Sequence, residues 1–127
     1  MAVTKHLPIW RDAHNLVRIL YTTTRKAPRE LRYTLVQQML QEAIEVCVHI
    51  DTANRRRGQQ RIDAIDDTQQ SITRVAVMLQ IAVEHRCMST GAAGQAIDAT
   101  DSVSRQAHGW RESTMSPSQQ PEPEPFT

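Results

Sequence analysis

Basic side chains fall into two groups along the chain, and their type and spacing suit contact with phosphate groups. Arg55-Arg56-Arg57 form an uninterrupted run, and Arg61 follows one helical turn later. Cations at the end of a helix are favoured by about 0.3–1 kcal/mol each, but three adjacent arginines repel one another and exceed that need. Since the planar guanidinium group forms paired hydrogen bonds with phosphate, the run predicts contact with a nucleic-acid backbone.

The second basic group lies at the junction between the first two predicted helices. It consists of Arg25, Lys26, Arg29 and Arg32. In an antiparallel bundle this junction and the Arg55–Arg57 run lie at opposite ends, so both ends are predicted to bind nucleic acid. Aromatic residues make up only 4% of the chain, which leaves little for base stacking. We therefore expect RNA or DNA to be bound independently of sequence and with a strong dependence on salt.

Four-helix bundles can house di-metal sites, and this sequence does not match the residue pattern of such a site. A di-metal site needs Glu-x-x-His pairs on two helices, with further glutamates facing inward. The nearest approach is Glu45 and His49 with Glu42 beside them, but the pair is four residues apart and has no counterpart elsewhere. We predict no metal site and no cofactor.

Nucleophilic and acid–base catalysis are equally unsupported. Cys47 lies in an apolar strip, where it is typical of a small core residue rather than an activated thiolate. Asp63, Asp66 and Asp67 lie in the first turns of a predicted helix, where acidic side chains favour the helix dipole. Glycine-rich phosphate loops are absent from the sequence. We therefore expect a protein that is not an enzyme.

The length and composition predict one all-α domain. The chain has 127 residues, 39% of them hydrophobic, so its core must be largely aliphatic. No apolar run approaches the roughly 18 residues of a membrane span, and Met1 to Pro8 lack the apolar stretch of a signal peptide. The two cysteines, Cys47 and Cys87, are expected to be reduced and buried. These features favour a cytoplasmic protein without a membrane partner.

Apolar residues recur every three or four positions in four segments, which predicts four helices. We place the helices at about residues 8–24, 28–53, 61–86 and 92–111, with residues 54–60 as the second interruption. Pro8 and Pro28 suit first helical turns, and Ser89 or Thr90 can cap the last helix. Because the connections are short, the fold class is an antiparallel up-down-up-down four-helix bundle.

The C-terminal stretch differs from the rest of the chain in composition. Residues 113–127 contain four prolines and two acidic residues, Glu122 and Glu124, and no basic ones, so the remainder carries a net charge of +3. Little there is apolar enough to be buried. We therefore divide the chain into a bundle, residues 1–112, and a disordered Pro/Ser/Gln/Glu-rich tail, residues 113–127.

The second helix has an apolar face wider than one bundle interior usually requires. Leu40 and Ile44 lie at the edge of that face and are the candidates for exposure. An exposed apolar strip favours self-association, so we expect these two residues to lie in an oligomer interface.

Several stretches resemble the four helix bundle protein family. They are residues 7–16 (LPIWRDAHNL), Leu20-Tyr21, Pro28, residues 32–35 (RYTL) and Gln38. The family includes proteins encoded in intervening sequences of large-subunit rRNA genes, and Avd, the accessory variability determinant of diversity-generating retroelements. Ala53-Asn54, Arg61 and Gly109-Trp110 resemble the Avd-like branch in particular. The stretch His49–Ala53 departs from the Asn-Ile-Ala-Glu-Gly-like run of the rRNA-associated branch, which favours the same choice.

The resemblance implies a non-enzymatic accessory protein that assembles as a homopentamer. Such a protein binds a reverse transcriptase and nucleic acid, either template RNA or cDNA, during mutagenic retrohoming. Arg55, Arg56, Arg57 and Arg61 would then contact RNA or an acidic face of the enzyme. Two alternatives remain: an rRNA intervening-sequence protein of undefined role, and a purely protein-binding adaptor whose arginines meet acidic partners.

Overall fold

The computed structural model describes residues 3–115, which form four helices packed against each other, as the sequence predicts. A 3-10 turn at Thr4–His6 precedes α1, Pro8–Thr23. The second helix, α2, covers residues 29–55, α3 spans Gly58–Glu84 and α4 spans Thr90–Thr114. The connections are residues 24–28, 56–57 and 85–89, so sequential helices are antiparallel.

The four helices form a square in cross-section. α1 and α3 each pack against both α2 and α4, and within residues 3–115 the backbones of the two diagonal pairs do not approach each other closely. The core runs along the centre of the square and is aliphatic, as expected. Its largest fully buried side chains include Leu16, Leu20, Met39, Ile50 and Leu79. Within residues 3–115, no helix is both long and apolar enough to cross a membrane.

Periodicity explains which faces are buried. In α1 the buried residues Ile9, Ala13, Leu16 and Leu20 follow the three- and four-residue spacing of one helical face. The face that α4 buries is built largely from alanines, and Val103 is its largest fully buried side chain. Small side chains let α4 lie close to α1 and α3.

Polar contacts hold α4 in register with its neighbours. The Asp12 carboxylate of α1 accepts hydrogen bonds from Ser102 Oγ at 2.7 Å and Gln106 Nε2 at 2.6 Å. On the other side Arg111 Nε donates to Asp66 Oδ1 of α3 at 2.8 Å. The Asp12 contacts hold α4 beside α1, and the Arg111 contact holds it beside α3.

The helices differ from the prediction mainly at three places, and the other ends agree to within two residues. The interruption predicted at residues 54–60 is only residues 56–57, because α2 continues to Arg55 and α3 already begins at Gly58. α2 is also not uniform, since a π-helical stretch, Arg32–Val36, separates Arg29–Leu31 from Gln37–Arg55. α4 continues through Thr114, two residues beyond the predicted bundle boundary. The rest of the predicted tail, residues 116–127, lies outside the described residues.

Candidate nucleic-acid interface

The antiparallel topology separates the two basic groups. The connections at residues 24–28 and 85–89 lie at one end of the bundle, and the connection at residues 56–57 lies at the other. We name the first the Arg25 end, formed by Arg25, Lys26, Arg29, Arg32 and Arg86, and the second the Arg56 end, formed by Arg55, Arg56 and Arg57. All eight of these side chains are exposed.

At the Arg56 end, a two-residue turn projects arginines away from the bundle. Arg56 and Arg57 are extended, with φ of −106° and −138°, so the chain leaves α2 and enters α3 with no further loop. Gly58 completes the turn with φ of +57°, a left-handed conformation that glycine adopts without strain. Among residues 3–115, no carboxylate lies within ion-pair distance of Arg56 or Arg57.

Arg55 differs from its two neighbours because it already has a partner. Its Nε donates to Asp51 Oδ2 at 2.9 Å, one turn back on α2. Asp51 Oδ1 also accepts from the Thr4 hydroxyl at 2.7 Å, and Asn54 Nδ2 donates to Thr4 Oγ1 at 2.9 Å. The Thr4 hydrogen bond, and after it Arg55, lower the pKa of Asp51 below its ordinary value. Part of the charge of Arg55 is therefore compensated within the chain.

Arg61 is partly buried and occupied by contacts with the protein itself. Its Nε donates to the carbonyl oxygen of Ala53 at 2.9 Å, and its Nη2 to that of Asn54 at 3.3 Å. Its guanidinium carbon lies 5.5 Å from the centre of the Trp110 ring. Arg61 therefore caps the last carbonyls of α2 and joins them to α4, whereas Arg56 and Arg57 face solvent.

At the Arg25 end, the connection is anchored by small buried residues and exposes its cations. Thr24 and Ala27 are buried, and the Thr24 hydroxyl donates to the carbonyl of Leu20 at 2.5 Å. Arg25 and Lys26 point outward beside them. Within residues 3–115 none of the predicted cations here forms an ion pair.

Arg86 joins this end although sequence analysis did not select it. It adopts φ of 59° in the motif that ends α3, where Cys87 N–H donates to Ala82 O at 2.8 Å and Arg86 N–H to Val83 O at 3.1 Å. Arg86 and Lys26 line the same surface pocket of about 470 Å³. The predicted topology could have identified Arg86, because in an antiparallel bundle the end of α3 lies beside the α1–α2 connection.

Two exposed tyrosines also lie near the Arg25 end. Tyr21 is 52% exposed in the last turn of α1, and Tyr33 is 69% exposed in the π-helical stretch of α2. Exposed aromatic rings beside cations provide stacking surfaces for unpaired bases. The low aromatic content of the chain predicts little base stacking. The positions of Tyr21 and Tyr33 nevertheless give the Arg25 end some capacity to stack with bases.

Metal-ligating side chains are scattered over the described residues, and the Cys47 thiol is partly buried. Within residues 3–115 no three His, Cys, Asp or Glu side chains are grouped closely enough to hold a metal ion. His49 lies 3.9 Å from Glu45, and Glu42 instead meets Arg74 at 3.5 Å. Burial raises the pKa of the Cys47 thiol to about 11, so the thiol is protonated at neutral pH and weakly nucleophilic.

Leu40 and Ile44, the predicted interface residues, have different environments. Leu40 is partly buried and packs against the core. Ile44 is only partly buried, and Val48, one turn further along α2, is 49% exposed. The apolar strip that remains available on α2 is therefore Ile44 and Val48.

Comparison with known proteins gives one family-level finding. Residues 5–109 match the model of a family described as 23S rRNA-intervening sequence protein. That range includes both basic ends and nearly all of the four helices. No curated protein matches the chain.

Proposed function

Because the chain belongs to the 23S rRNA-intervening sequence protein family, we propose that it is a non-catalytic bundle that binds the phosphate backbone of RNA. One observation carries this proposal: seven exposed cations at the two ends have no carboxylate partner among residues 3–115. They are Arg25, Lys26, Arg29, Arg32, Arg86, Arg56 and Arg57. Such cations can bind phosphate at little cost in free energy, because no ion pair within the protein has to be broken first.

Backbone contact makes binding independent of sequence and steeply dependent on salt. Each phosphate neutralised on a single strand releases counterions and adds about −0.7 to the slope of log affinity against log salt. Contact with the phosphate backbone does not distinguish RNA from DNA. We favour RNA because the description of the family refers to rRNA. The free thiols, Cys47 and Cys87, suit a reducing cytoplasmic setting.

The test is RNA affinity by fluorescence anisotropy across a salt series, for the native protein and the double variant Arg56→Ala/Arg57→Ala. If both arginines contact phosphate, the slope of the variant is less steep by about 1.4. Arg55 is left in place because Asp51 already compensates it.

The matched control is Arg11→Ala/Arg105→Ala, which removes two exposed arginines from the sides of the bundle. It has the same net charge as the test variant, so a general electrostatic effect would reduce binding equally in both. Equal slopes for the two variants, or no RNA binding by the native protein at moderate salt, would contradict the proposal. The latter result would favour an adaptor whose arginines meet acidic proteins.

A second candidate function is that of an Avd-like partner of a reverse transcriptase. The observation in its favour is that the features resembling this branch converge: Arg61 bonds to Ala53 and Asn54 and covers Trp110. The three stretches that resemble the Avd-like branch therefore lie in contact at one place in the fold. Co-purification with the reverse transcriptase of a diversity-generating retroelement tests it, and failure to retain that enzyme at low salt would remove this candidate while leaving RNA binding intact.

A further inference from the structure

The charge of the bundle alternates along its long axis. Between the two basic ends lies a section that we call the waist: the parts of α2, α3 and α4 more than two helical turns from either end, residues 37–47, 66–76 and 98–106. The waist contains six acidic residues, which are Glu42, Glu45, Asp66, Asp67, Asp98 and Asp101. Its only basic residues are Arg74 and Arg105.

The acidic character of the waist persists after its ion pairs are considered. Glu42 is compensated by Arg74 and Asp66 by Arg111. Asp67, Asp98 and Asp101 are exposed, and within the described part of the chain none of them forms an ion pair. On α1, Arg11 and Arg18 exceed Asp12 by one charge, so the acidic surface of the waist is formed by α2, α3 and α4. The waist therefore repels a phosphate backbone that both ends attract.

The two ends are also far apart. α3 spans the bundle from one end to the other in 27 residues, which corresponds to about 40 Å at 1.5 Å per residue. This distance is several times the Debye length of about 8 Å at physiological ionic strength, so the ends do not act as one electrostatic site. A strand that touched both ends over α2, α3 or α4 would have to cross the acidic waist.

We infer that each bundle joins two separate RNA segments, one at the Arg25 end and one at the Arg56 end. This inference rests on the proposed RNA binding. It adds that each molecule has two RNA sites and that a different RNA segment occupies each. The consequence is a bridging activity, in which the protein brings together two strands or two parts of one folded RNA. Bridging requires both ends of the same bundle, whereas simple RNA binding requires only one.

The experiment uses two different RNA hairpins, each shorter than the distance between the two ends. One hairpin is immobilised and the other carries a fluorophore, and the full chain is added below saturation. Capture of the labelled hairpin measures bridging, and anisotropy with either hairpin alone measures binding. Three charge variants are compared with the native protein: Arg25→Glu/Lys26→Glu, Arg56→Glu/Arg57→Glu, and the control Arg11→Ala/Arg105→Ala, which removes two exposed arginines from the sides of the bundle.

The native protein and the control Arg11→Ala/Arg105→Ala are expected to capture the labelled hairpin. Each single-end variant is made in the Ile44→Glu/Val48→Glu background, so that copies do not associate through α2, and is compared with that parent. It is expected to keep binding one hairpin but to lose capture roughly tenfold or more, because phosphate contacts at one end are replaced by repulsion. Circular dichroism establishes that each variant is folded, and the exposed positions of all four substituted end residues favour that outcome.

Capture that persists in either single-end variant overturns the inference, since an assembly of several copies with one active end each would still bridge. Capture that is absent in the native protein, while anisotropy shows binding, also overturns it and leaves the proposed function standing. If neither hairpin binds at all, the proposed function itself fails.

Discussion

Arginines only a few positions apart in this chain have different roles, and their surroundings decide which role each has. Arg56 and Arg57 are exposed on a two-residue turn, whereas Arg61 is held by two carbonyl oxygens and an indole ring. Hydrogen bonds from a charged donor to backbone carbonyls are worth about 1.5–3 kcal/mol each. Arg61 therefore contributes to the position of the turn that carries Arg56 and Arg57, and the proposed phosphate contacts at this end are those of Arg56 and Arg57.

Arg86 combines backbone strain with an exposed charge. One substitution at this position should therefore change the stability of the fold and RNA binding in opposite directions. It occupies the left-handed position that ends α3, where glycine is the usual residue. We expect Arg86→Gly to increase the free energy of unfolding by about 0.5–1 kcal/mol and to weaken RNA binding, since one cation of the Arg25 end is lost. Urea denaturation and anisotropy measure the two effects.

The control for this prediction is Arg86→Ala, which removes the charge but keeps a side chain in the strained conformation. It should weaken RNA binding as much as Arg86→Gly and give no gain in stability. If Arg86→Gly left RNA affinity unchanged, Arg86 would have no part in the Arg25 end.

At the scale of elements, the short N-terminal turn is tied to the end of α2. The Thr4 hydroxyl bonds to Asp51 and accepts from Asn54, so the turn at Thr4–His6 covers the last turn of α2. The same carboxylate holds Arg55. Asp51 thus connects the start of the chain to the Arg56 end.

This connection predicts a pH dependence of stability. Because hydrogen bonds from Thr4 and Arg55 lower the pKa of Asp51 in the folded chain, the ionised carboxylate stabilises folding above its ordinary pKa of 3.8. That stabilisation is lost as the pH falls through the folded pKa. Asp51→Asn should therefore lower the urea midpoint at neutral pH, and the difference from the native protein should shrink as the solution becomes acidic.

Asp98→Asn is the matched control, since Asp98 is exposed on α4 and forms no ion pair in the described part of the chain. Its urea midpoint should follow that of the native protein across the pH range. A difference between Asp51→Asn and the native protein that stays constant down to acid pH would show that the carboxylate charge is not its cause.

At the scale of the whole molecule, the α2 surface is the place to test self-association. Leu40 is used by the core, which leaves Ile44 and Val48 as the apolar strip. We predict that Ile44→Glu/Val48→Glu shifts the protein from an oligomer to a monomer. Burying a Val or Ile side chain in an interface contributes about 1.5–3 kcal/mol to the free energy of association, and the glutamates remove that contribution. Light scattering after size-exclusion chromatography gives the mass directly.

Ile97→Glu is the control for that experiment. Ile97 is 40% exposed on α4, which lies diagonally opposite α2 in the bundle. An oligomer that survives the α2 substitutions but is dissociated by Ile97→Glu would place the interface on α4. A native protein that is already monomeric would contradict the prediction altogether.

The sequence by itself determined the helices, their buried faces and the two runs of cations. Helical periodicity is a local property, so the spacing of Ile9, Ala13, Leu16 and Leu20 predicts one buried face without knowledge of its neighbours. The same holds for Ser89, whose hydroxyl caps α4 by accepting from Ala92 N–H at 3.1 Å.

Only the tertiary structure decided what each charged residue meets. Arg61 is removed from the solvent-facing cations because the end of α4 places Trp110 beside it, and Arg86 joins the Arg25 end because α3 ends next to the α1–α2 connection. The acidic waist arises in the same way, since its residues come from three different helices. Local spacing specifies which side of a helix a residue occupies, but its neighbours across the bundle depend on how all four helices pack, and charge interactions act through those neighbours.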